Sequence, residues 1–515
     1  MALTYLHRTP STAATNTKKA TFSYWTKTTG ISINDQSVWF GNESSNSASN
    51  HRVLIMKQNN TTQGAASLKG SFAIQFQDAS GSATSSVGGQ LIGQYDLEDN
   101  TAWRHFCFTI DKLRDLNAWY HIVVAGDTTQ SGTDKIKIWI NGNRITQFHP
   151  TYAYHPNQNL DIYYFNNQSG GSGPKQYVNY GKNGANGGMG GAQMMMAEVH
   201  AIDGSAYDVS TFGEFSALTG EWVPKVGPSV SYGNNGFYLK FNNSSDLGED
   251  SSGNNNDFTT VGTIKQTVDT PNNNFPVFDS STLSGHSGAH SISHNGNSLS
   301  GTSTTHWETT PINFVMAKGK WYFEAKVATS TTKCFIGICD YVEHSSRSTN
   351  ASRYLSDSST TDGRALSYYT TADTSTGRVY TGGNNYTETG ISSFGNGDIL
   401  MFAIDLDNNK FYTGKNGTWN ASGDPTSGST GTGAQDIDQN TATTGYHGQV
   451  LYSVAASVAT KTSGTGTVQF NFGNGRFGST AVSSATNDTS GYGTFEYTVP
   501  SGYYAICSKN IDTYG

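Results

Sequence analysis

The feature that most constrains the fold is an alternation of apolar and polar residues with a period of two, cut by frequent turn signals. Residues 135–140 alternate, with three isoleucines on one face, and run into Asn141-Gly142, a dipeptide typical of tight hairpin turns. Residues 236–241 alternate in the same way, and residues 119–125 form a short, nearly continuous apolar run. Because successive side chains of a strand point to opposite faces of a sheet, the pattern predicts antiparallel β-strands joined by short loops.

The overall composition favours many short strands over disorder. Hydrophobic residues make up 35% and charged residues 14% of the 515 residues, and the polar remainder includes 59 glycines. Disordered chains are also polar, but they are poor in aromatic residues, which here reach 12%. We therefore predict an all-β protein, with one short helix in the first half of the chain that begins near Ser210 and covers residues 211–215.

The strand signals fade between the two halves of the chain. Residues 269–276 carry turn chemistry, residues 280–297 are rich in Ser, Gly and His, and strand patterns resume at residues 320–327. This organisation predicts two tandem antiparallel β-sandwiches separated by a linker. The predicted ranges are residues 1–262 for the first domain, 263–295 for the linker and 296–515 for the second domain.

The charge balance and the distribution of apolar residues exclude several classes of partner. The formal net charge is −8 and no basic stripe is visible, so we predict no nucleic-acid partner. The N-terminus has no apolar run of signal-peptide length, and no segment approaches the roughly 18 apolar residues of a membrane span. We therefore predict synthesis in a cytoplasm without export, and no membrane insertion.

The four cysteines do not have the pattern of a disulfide scaffold. Cys334 and Cys339 lie five residues apart in one predicted strand, so their side chains point to opposite faces of the sheet. Together with Cys107 and Cys507 they are expected to be small buried apolar residues.

Motifs of catalysis are missing from the sequence. It has no Glu-x-Asp-x-x-Glu strand, which would place two carboxylates on one face for glycoside hydrolysis. It also has no Gly-x-Ser-x-Gly elbow, His-Glu-x-x-His helix or phosphate-binding loop. The acidic cluster at residues 96–99 is typical of a solvated loop. We predict that the protein is not an enzyme, with a glycan-degrading enzyme as the alternative because distant carboxylates can meet in a fold.

Two groups of residues resemble metal sites without matching one. His286, His290 and His294 repeat every four residues, a spacing that would align three imidazoles on a helix, but their Ser/Gly-rich surroundings favour an exposed linker. The segment from Asp246 to Asp257 is rich in oxygen donors suited to Ca²⁺, yet it lacks EF-hand spacing and is better interpreted as a polar turn. We predict no cofactor, with Ca²⁺ left as an open alternative.

A series of motifs in the first half of the chain carries a family resemblance. They are Asn117-Ala-Trp-Tyr-His-Ile-Val-Val124, Lys137-Ile-Trp-Ile-Asn-Gly142, Ala197-Glu-Val-His-Ala-Ile-Asp-Gly204 and Gly220-Glu-Trp-Val-Pro224. The first two resemble the paired central strands of laminin-G-like, concanavalin-type lectin domains. The whole series resembles a module of structural and fibre-like proteins of tailed phages, especially marine ones. This resemblance covers about residues 3–275 and implies a concanavalin-like jelly roll.

The second half of the chain resembles a SPRY domain over about residues 296–510. The residues that carry the resemblance are Gly319-Lys-Trp-Tyr-Phe-Glu324, Phe335-Ile-Gly-Ile338, Asn416-Gly-Thr-Trp419 and Phe470-Asn-Phe-Gly473. The resemblance implies a SPRY-like sandwich that binds proteins or other ligands through surface loops, and it implies no catalysis.

The two resemblances together imply a bacteriophage virion structural protein that is made in the host cytoplasm and localised in the virion. It is expected to be a tail-fibre, spike or surface-decoration subunit that forms a homo-oligomer, docks on other virion proteins and contacts host surface glycans. The alternative is a particle-internal tail or capsid component with no receptor role. Sugar rings stack on exposed aromatic side chains, so the candidate ligand-binding residues are those in or near predicted loops of the second domain. These are Tyr368, Tyr369, Tyr380, Tyr386 and Trp419.

Overall fold

The structure, a computed structural model, divides into two compact units, Met1–Gln266 and Thr267–Gly515. The boundary between them lies inside the predicted linker range of 263–295. The residues that the structure describes are 4–28, 37–43, 51–58, 71–76, 104–108, 118–146, 158–159, 161, 163–165, 175–180, 194–217, 220–278, 290–294, 296–304, 309–329, 332–342, 355, 365–370, 377–381, 385–437, 450–461 and 464–515.

The first unit consists of antiparallel strands with short 3-10 turns between some of them. Its strands are β1 (Tyr5–Arg8), β2 (Lys19–Thr28), β3 (Ser37–Glu43), β4 (His51–Gln58), β5 (Ser71–Phe76), β6 (Arg104–Phe108), β7 (Trp119–Asp127), β8 (Ile136–Ile140), β9 (Asn143–Arg144), β10 (Lys175–Tyr180), β11 (Met194–Asp203), β12 (Gly213–Phe215), β13 (Trp222–Pro224), β14 (Phe237–Leu239) and β15 (Thr259–Val261). Within the described residues, one sheet has the order β15-β1-β10-β3-β4-β5-β6 and a second has the order β14-β11-β2-β7-β8-β9. Strands β12 and β13 form a separate hairpin.

The core of the first unit lies between these two sheets. Leu6 and Phe40 contribute from the first sheet, and the isoleucines of β8 contribute from the second. The predicted alternation is confirmed there, because Ile136, Ile138 and Ile140 all lie in this core while Trp139 packs on the opposite face. Full burial of an isoleucine stabilises a fold by about 1.5–3 kcal/mol, so a shift of register by one residue would be costly.

The outer face of the second sheet is itself covered. The chain between β11 and β14 crosses it, and Phe212, Trp222 and Tyr232 of this segment pack on Val123 and Ile202 of the sheet. Residues that alternate with the core positions of β2, β7 and β11 therefore lie under a second layer rather than in solvent.

The second unit has the same layered organisation. Its elements are β16 (His290–Ser293), β17 (Ser298–Gly301), β18 (Thr309–Pro311), β19 (Lys320–Val327), β20 (Thr332–Asp340), β21 (Leu366–Thr370), β22 (Gly377–Tyr380), β23 (Tyr386–Thr387), β24 (Ile399–Asp405), β25 (Lys410–Lys415), β26 (Thr418–Trp419), β27 (Gln435–Asp436), β28 (Tyr452–Thr460), β29 (Gly466–Asn471), β30 (Arg476–Phe477), β31 (Thr480–Ala481), β32 (Thr486–Asn487), β33 (Thr494–Phe495), β34 (Tyr504–Ala505) and the terminal helix α1 (Ser508–Tyr514). Within the described residues, one sheet has the order β16-β17-β29-β19-β24-β25-β26, with β27 on β25 and β34 on β19. The other sheet has the order β18-β28-β20-β21-β22-β23.

The core of the second unit also lies between two sheets. Phe323 and Phe402 of the first sheet stack with their ring centroids 4.5 Å apart, and Ile336 and Val454 of the second sheet pack in the same cluster. The protein is therefore an all-β protein of two antiparallel sandwiches, as predicted. No described helix is long and apolar enough to cross a membrane.

Two expectations about the segment between the domains are wrong. Phe275 and Phe278 are buried in the second unit, so residues 267–278 are not an exposed linker. His290 lies in strand β16 with 7% exposure, and its Nε2 donates to the carbonyl oxygen of Val458 at 2.5 Å. His286 lies outside the described residues. The His290–His294 spacing falls on a strand and the turn after it, so it does not align imidazoles as a helix would.

The predicted helix at residues 211–215 is also wrong. A single 3-10 turn, Val209–Thr211, is capped by Asp208, whose side chain accepts a hydrogen bond from the backbone N–H of Ser210. Residues Gly213–Phe215 form strand β12 instead. Gly213 passes directly under the indole of Trp222, and a side chain there would clash with that ring. Packing across the hairpin therefore overrides the local helix signal.

The cysteine predictions are confirmed where the side chains are described. Cys334 and Cys339 are buried, unpaired by disulfide and on opposite faces of β20, one in the core and one under the outer surface. Cys507 is also a free buried thiol, and the side chain of Cys107 lies outside the described residues.

Candidate functional site

The five predicted ligand-binding residues lie in different environments in the structure: two pack in apolar clusters, and three lie together on the outer face of a sheet. Tyr368 is 0% exposed and packs edge-on against Phe394 in the core, with ring centroids 4.8 Å apart. Trp419 is half-buried and packs with Tyr322 and Tyr412 on another apolar cluster. The expectation of exposure is wrong for Tyr368 because it is a central strand residue that faces inward, where no ligand can reach it.

The other three residues form a row of rings across the outer face of the second sheet. Tyr369 stacks on Phe335 with centroids 4.0 Å apart, Tyr380 meets Tyr369 edge-on at 5.8 Å, and Tyr386 lies 5.2 Å from Tyr380. The strand register produces this row, since Phe335 pairs with Tyr369 and Tyr380 pairs with Tyr386. Exposure rises from 3% at Phe335, through 8% at both middle tyrosines, to 48% at Tyr386. Tyr386, the outermost ring, thus packs on Tyr380 on one side and is exposed to solvent on the other.

Two charged side chains, Arg378 and Glu388, lie beside Tyr386 at the end of this row of rings. The Arg378 guanidinium carbon lies 4.3 Å from the centre of the Tyr386 ring, and its Nε donates to Glu388 Oε1 at 2.5 Å. Hydrogen bonds with Tyr380 and Glu388 raise the pKa of Arg378 above its ordinary value, so the guanidinium stays cationic. We call Tyr380, Tyr386, Arg378 and Glu388 the aromatic edge. Arg378 lies two residues before Tyr380 and Glu388 two residues after Tyr386, but sequence analysis missed both because the contacts of Arg378 with Tyr386 and Glu388 form between neighbouring strands.

The aromatic edge offers the contacts that a polyhydroxylated ring needs. Tyr386 provides an apolar ring face, Arg378 provides the N–H donors that Glu388 and Tyr380 do not use, and Glu388 provides carboxylate acceptors. A cation–π contact at an exposed position is worth about 0.5–1 kcal/mol, so Arg378 holds Tyr386 in place without burying it. Stacking on the Tyr386 ring and hydrogen bonds to the two charged side chains are the contacts that this arrangement can make.

A serine–histidine contact in the first unit does not form a nucleophile and base. His121 Nδ1 accepts a hydrogen bond from Trp222 Nε1 at 2.8 Å, and an indole nitrogen can only donate. The other imidazole nitrogen, Nε2, therefore carries the hydrogen and donates to Ser23 Oγ at 2.9 Å. Burial lowers the pKa of His121 to about 3. A histidine that presents N–H to the hydroxyl cannot act as its general base.

A second buried histidine, His200, lies beside Glu198, whose backbone has a left-handed conformation. Glu198 has a φ of 48° in a bulge of β11, and its carboxylate accepts a hydrogen bond from Tyr238 Oη. The His200 ring stacks on Tyr238 with centroids 4.1 Å apart, and its Nδ1 lies 2.8 Å from Tyr232 Oη. Burial lowers the pKa of His200 to about 3, so its 4.0 Å approach to Glu198 is not an ion pair at neutral pH. This cluster joins β11 to β14 and to the covering segment.

A buried carboxylate in the second unit has a structural role. Glu324 is 0% exposed and accepts hydrogen bonds from the backbone N–H groups of Glu496 and Tyr497 at 2.9 and 2.8 Å, and from Tyr322 Oη at 3.0 Å. Burial raises its pKa to about 7. Its oxygens are occupied by donors from the protein, and it fastens the 496–497 segment onto β19.

The segment from Asp246 to Asp257 is a polar turn. The Asp250 carboxylate accepts four hydrogen bonds at 2.8–2.9 Å, two of them from the backbone N–H groups of Tyr238 and Asn256 and two from the N–H and hydroxyl of Ser252. Among the described residues, no group of three or more His, Cys, Asp or Glu side chains is arranged to hold a metal ion. The acidic cluster at 96–99 lies outside the described residues.

Comparisons with known proteins find similarity to solved structures of SPRY domains. No protein-family model matches the sequence, and no curated protein matches it. The chain is similar to the SPRY domain of human HERC1, with 13% identity and a TM-score of 0.24 over 38% of this chain and 96% of that one. It is also similar to the TRIM65 PSpry domain, with 12% identity and a TM-score of 0.23 over 38% of this chain and 89% of that one. Similarities at this level carry no argument about function.

Proposed function

We propose that the protein is a structural component of a tailed-phage particle, and that its second unit contacts host surface glycans through the aromatic edge. In this proposal the first unit is a laminin-G-like jelly roll and the second is a SPRY-like domain, as their motifs imply. The chain would form a fibre, spike or surface-decoration subunit. The observation that carries glycan contact is Tyr386, which is exposed on its outer side and supported by Tyr380 and Arg378.

The energetics of the aromatic edge support recognition of a ligand. Tyr386 keeps a large ring 48% exposed, although burial of aromatic surface would stabilise the fold. Its orientation is already set by Arg378 and by the rings behind it, so little conformational entropy would be lost when a ligand stacks on it. Residues whose orientation is fixed before binding give higher affinity for the same contact area.

Assembly into a homo-oligomer on other virion proteins is the second part of the proposal. Only 14% of the residues are charged, so close contact between subunits would require little desolvation of charge. Immunogold labelling of intact phage particles with an antibody to this chain tests the location. Particles that carry no label on their surface would contradict the proposed surface location.

A glycan array of lipopolysaccharide O-chain and capsule fragments tests the binding function. We expect Tyr386→Ala to weaken binding about tenfold without a change in melting temperature, because the ring is exposed and outside the core. Tyr492→Ala is the matched control, since Tyr492 is 41% exposed at a different place on the same unit. Equal binding by wild type and Tyr386→Ala would refute the site. Shortening of the polysaccharide during incubation would identify an enzyme instead.

A further inference from the structure

The aromatic edge combines its two rings with one positive and one negative side chain on a single face of the sheet. Tyr380 pairs with Tyr386 across β22 and β23. Side chains two residues apart in a strand share a face, so Arg378 lies on the same face as Tyr380, and Glu388 follows Tyr386 at the same spacing. The contacts of Arg378 with Tyr386 and Glu388 show that the four side chains meet there.

Arg378 and Glu388 form an ion pair rather than two independent charges. Nε of the guanidinium donates to Glu388 Oε1 at 2.5 Å, so the pair as a whole carries no net charge. The two side chains are 24% and 40% exposed, which leaves both within reach of a ligand. The ring of Tyr386, whose centre lies 4.3 Å from the guanidinium carbon, therefore borders a neutral pair and not a free cation.

This pair offers hydrogen-bond donors and acceptors side by side. The guanidinium keeps N–H donors that Glu388 and Tyr380 do not use, and the carboxylate keeps acceptor sites beyond the one that Arg378 occupies. Hydroxyl groups on adjacent carbons of a sugar can donate to the carboxylate and accept from the guanidinium at the same time. A sugar that carries a carboxylate would instead meet a cation that Glu388 already occupies, and repulsion between the two anions would oppose its approach.

We infer that the aromatic edge selects neutral sugars with hydroxyls on adjacent carbons over acidic sugars, and that Glu388 is the residue that determines this selectivity. The inference rests on the proposed function, since it requires that a glycan stacks on Tyr386. An arginine without a partner beside an exposed ring would favour acidic glycans, because a guanidinium binds a carboxylate through two parallel hydrogen bonds. The ion pair with Glu388 opposes that mode of binding, so the direction of the selectivity depends on Glu388.

Binding of the full-length protein to immobilised neutral hexose oligosaccharides, compared with uronic-acid oligosaccharides of the same length, tests the inference. Wild type is expected to bind the neutral set more tightly. Glu388→Gln keeps the shape and one acceptor oxygen but removes the charge, so binding of the uronic-acid set is expected to rise about fivefold, the upper range for an exposed ion pair, and to fall again at high salt. Glu214→Gln, the same change at an exposed position of the first unit, is the control and is expected to alter neither affinity.

The outcomes separate this inference from the proposed function. Equal binding of both sets by wild type, abolished by Tyr386→Ala, would overturn the selectivity and leave glycan contact in place. Unchanged uronic-acid binding by a Glu388→Gln variant that melts like wild type would also overturn it. A measurement that needs no variant is the salt dependence of wild-type binding to the neutral set, which is expected to be weak and which, if strong, would contradict a neutral pair. Absence of wild-type binding to every oligosaccharide would overturn both the inference and the glycan contact.

Discussion

Acidification from pH 7 to pH 5 is expected to destabilise the first unit, because it buries two neutral histidines. His121 and His200 are 1% and 3% exposed. Burial lowers the pKa of each from 6.5 to about 3, and for His121 the proximity of His200 adds to the effect. Protonation of His121 would also place a hydrogen on Nδ1, where Trp222 Nε1 already directs its own N–H.

The direction and the size of this change in stability follow from the difference in proton binding between the folded and the unfolded chain. Above pH 6.5 both histidines are neutral in the folded and in the unfolded chain, so their burial does not reduce the free energy of unfolding. Below that pH the unfolded chain binds protons that the folded unit excludes, and stability is lost progressively until the pH approaches the folded pKa of about 3. At pH 5 the loss is about 2 kcal/mol per histidine, or about 4 kcal/mol for both. Domains are typically stable by about 5–15 kcal/mol, so this is a large fraction.

The second unit is expected to respond in the opposite direction through Glu324. The pKa of Glu324 in the folded unit, about 7, lies above its ordinary value of 4.5. Below pH 4.5 the carboxyl is protonated in both states, so the second unit keeps its full stability. As the pH rises through 7, the unfolded chain releases this proton more readily than the folded unit does, and stability is lost. Between pH 5 and pH 7 the loss is about 2 kcal/mol. The opposite slopes assign each thermal transition to its unit.

Differential scanning calorimetry of the full chain at pH 5, 6 and 7 measures both transitions. The transition of the first unit is expected to move down on acidification, and His200→Phe is expected to flatten its pH dependence by about half. Val226→Ala, at a 93% exposed position of the first unit, removes no titratable group, serves as the control and is expected to leave both slopes unchanged. A first-unit transition that does not move between pH 7 and pH 5 would refute the burial argument.

Three further predictions concern single residues. Tyr368→Ala is expected to destabilise the second unit by about 3–5 kcal/mol in urea unfolding because its ring fills the core, and a cost below about 1 kcal/mol would contradict this placement. Trp419→Ala is expected to lower the melting temperature of the second unit, since the ring packs on an apolar cluster, and an unchanged melting temperature would restore it as a candidate ligand residue. Gly213→Ala is expected to displace Trp222, which a change in tryptophan fluorescence would report and an unaltered spectrum would contradict.

Local sequence pattern determined the strands and the direction of their side chains. The alternation at residues 135–140 identified the isoleucines of the core, because the strand period is a property of the backbone and needs no knowledge of neighbours. The same rule placed Cys334 and Cys339 on opposite faces of β20. It also required Tyr368 and Tyr369 to face opposite sides, but it did not say which side was the core.

Tertiary structure decided which of these faces were covered. Tyr369 and Tyr380 are nearly buried, whereas Tyr386 is exposed. Tyr386 lies on β23, the short strand at the end of its sheet, and the pairing of distant segments sets that position. Residues 213–215 form a strand rather than the predicted helix because Gly213 packs under the indole of Trp222. That indole also packs on Gly142, which lies in a turn far earlier in the chain. Periodicity is local, whereas exposure depends on what packs above a residue, and in an antiparallel sandwich that neighbour comes from elsewhere in the sequence.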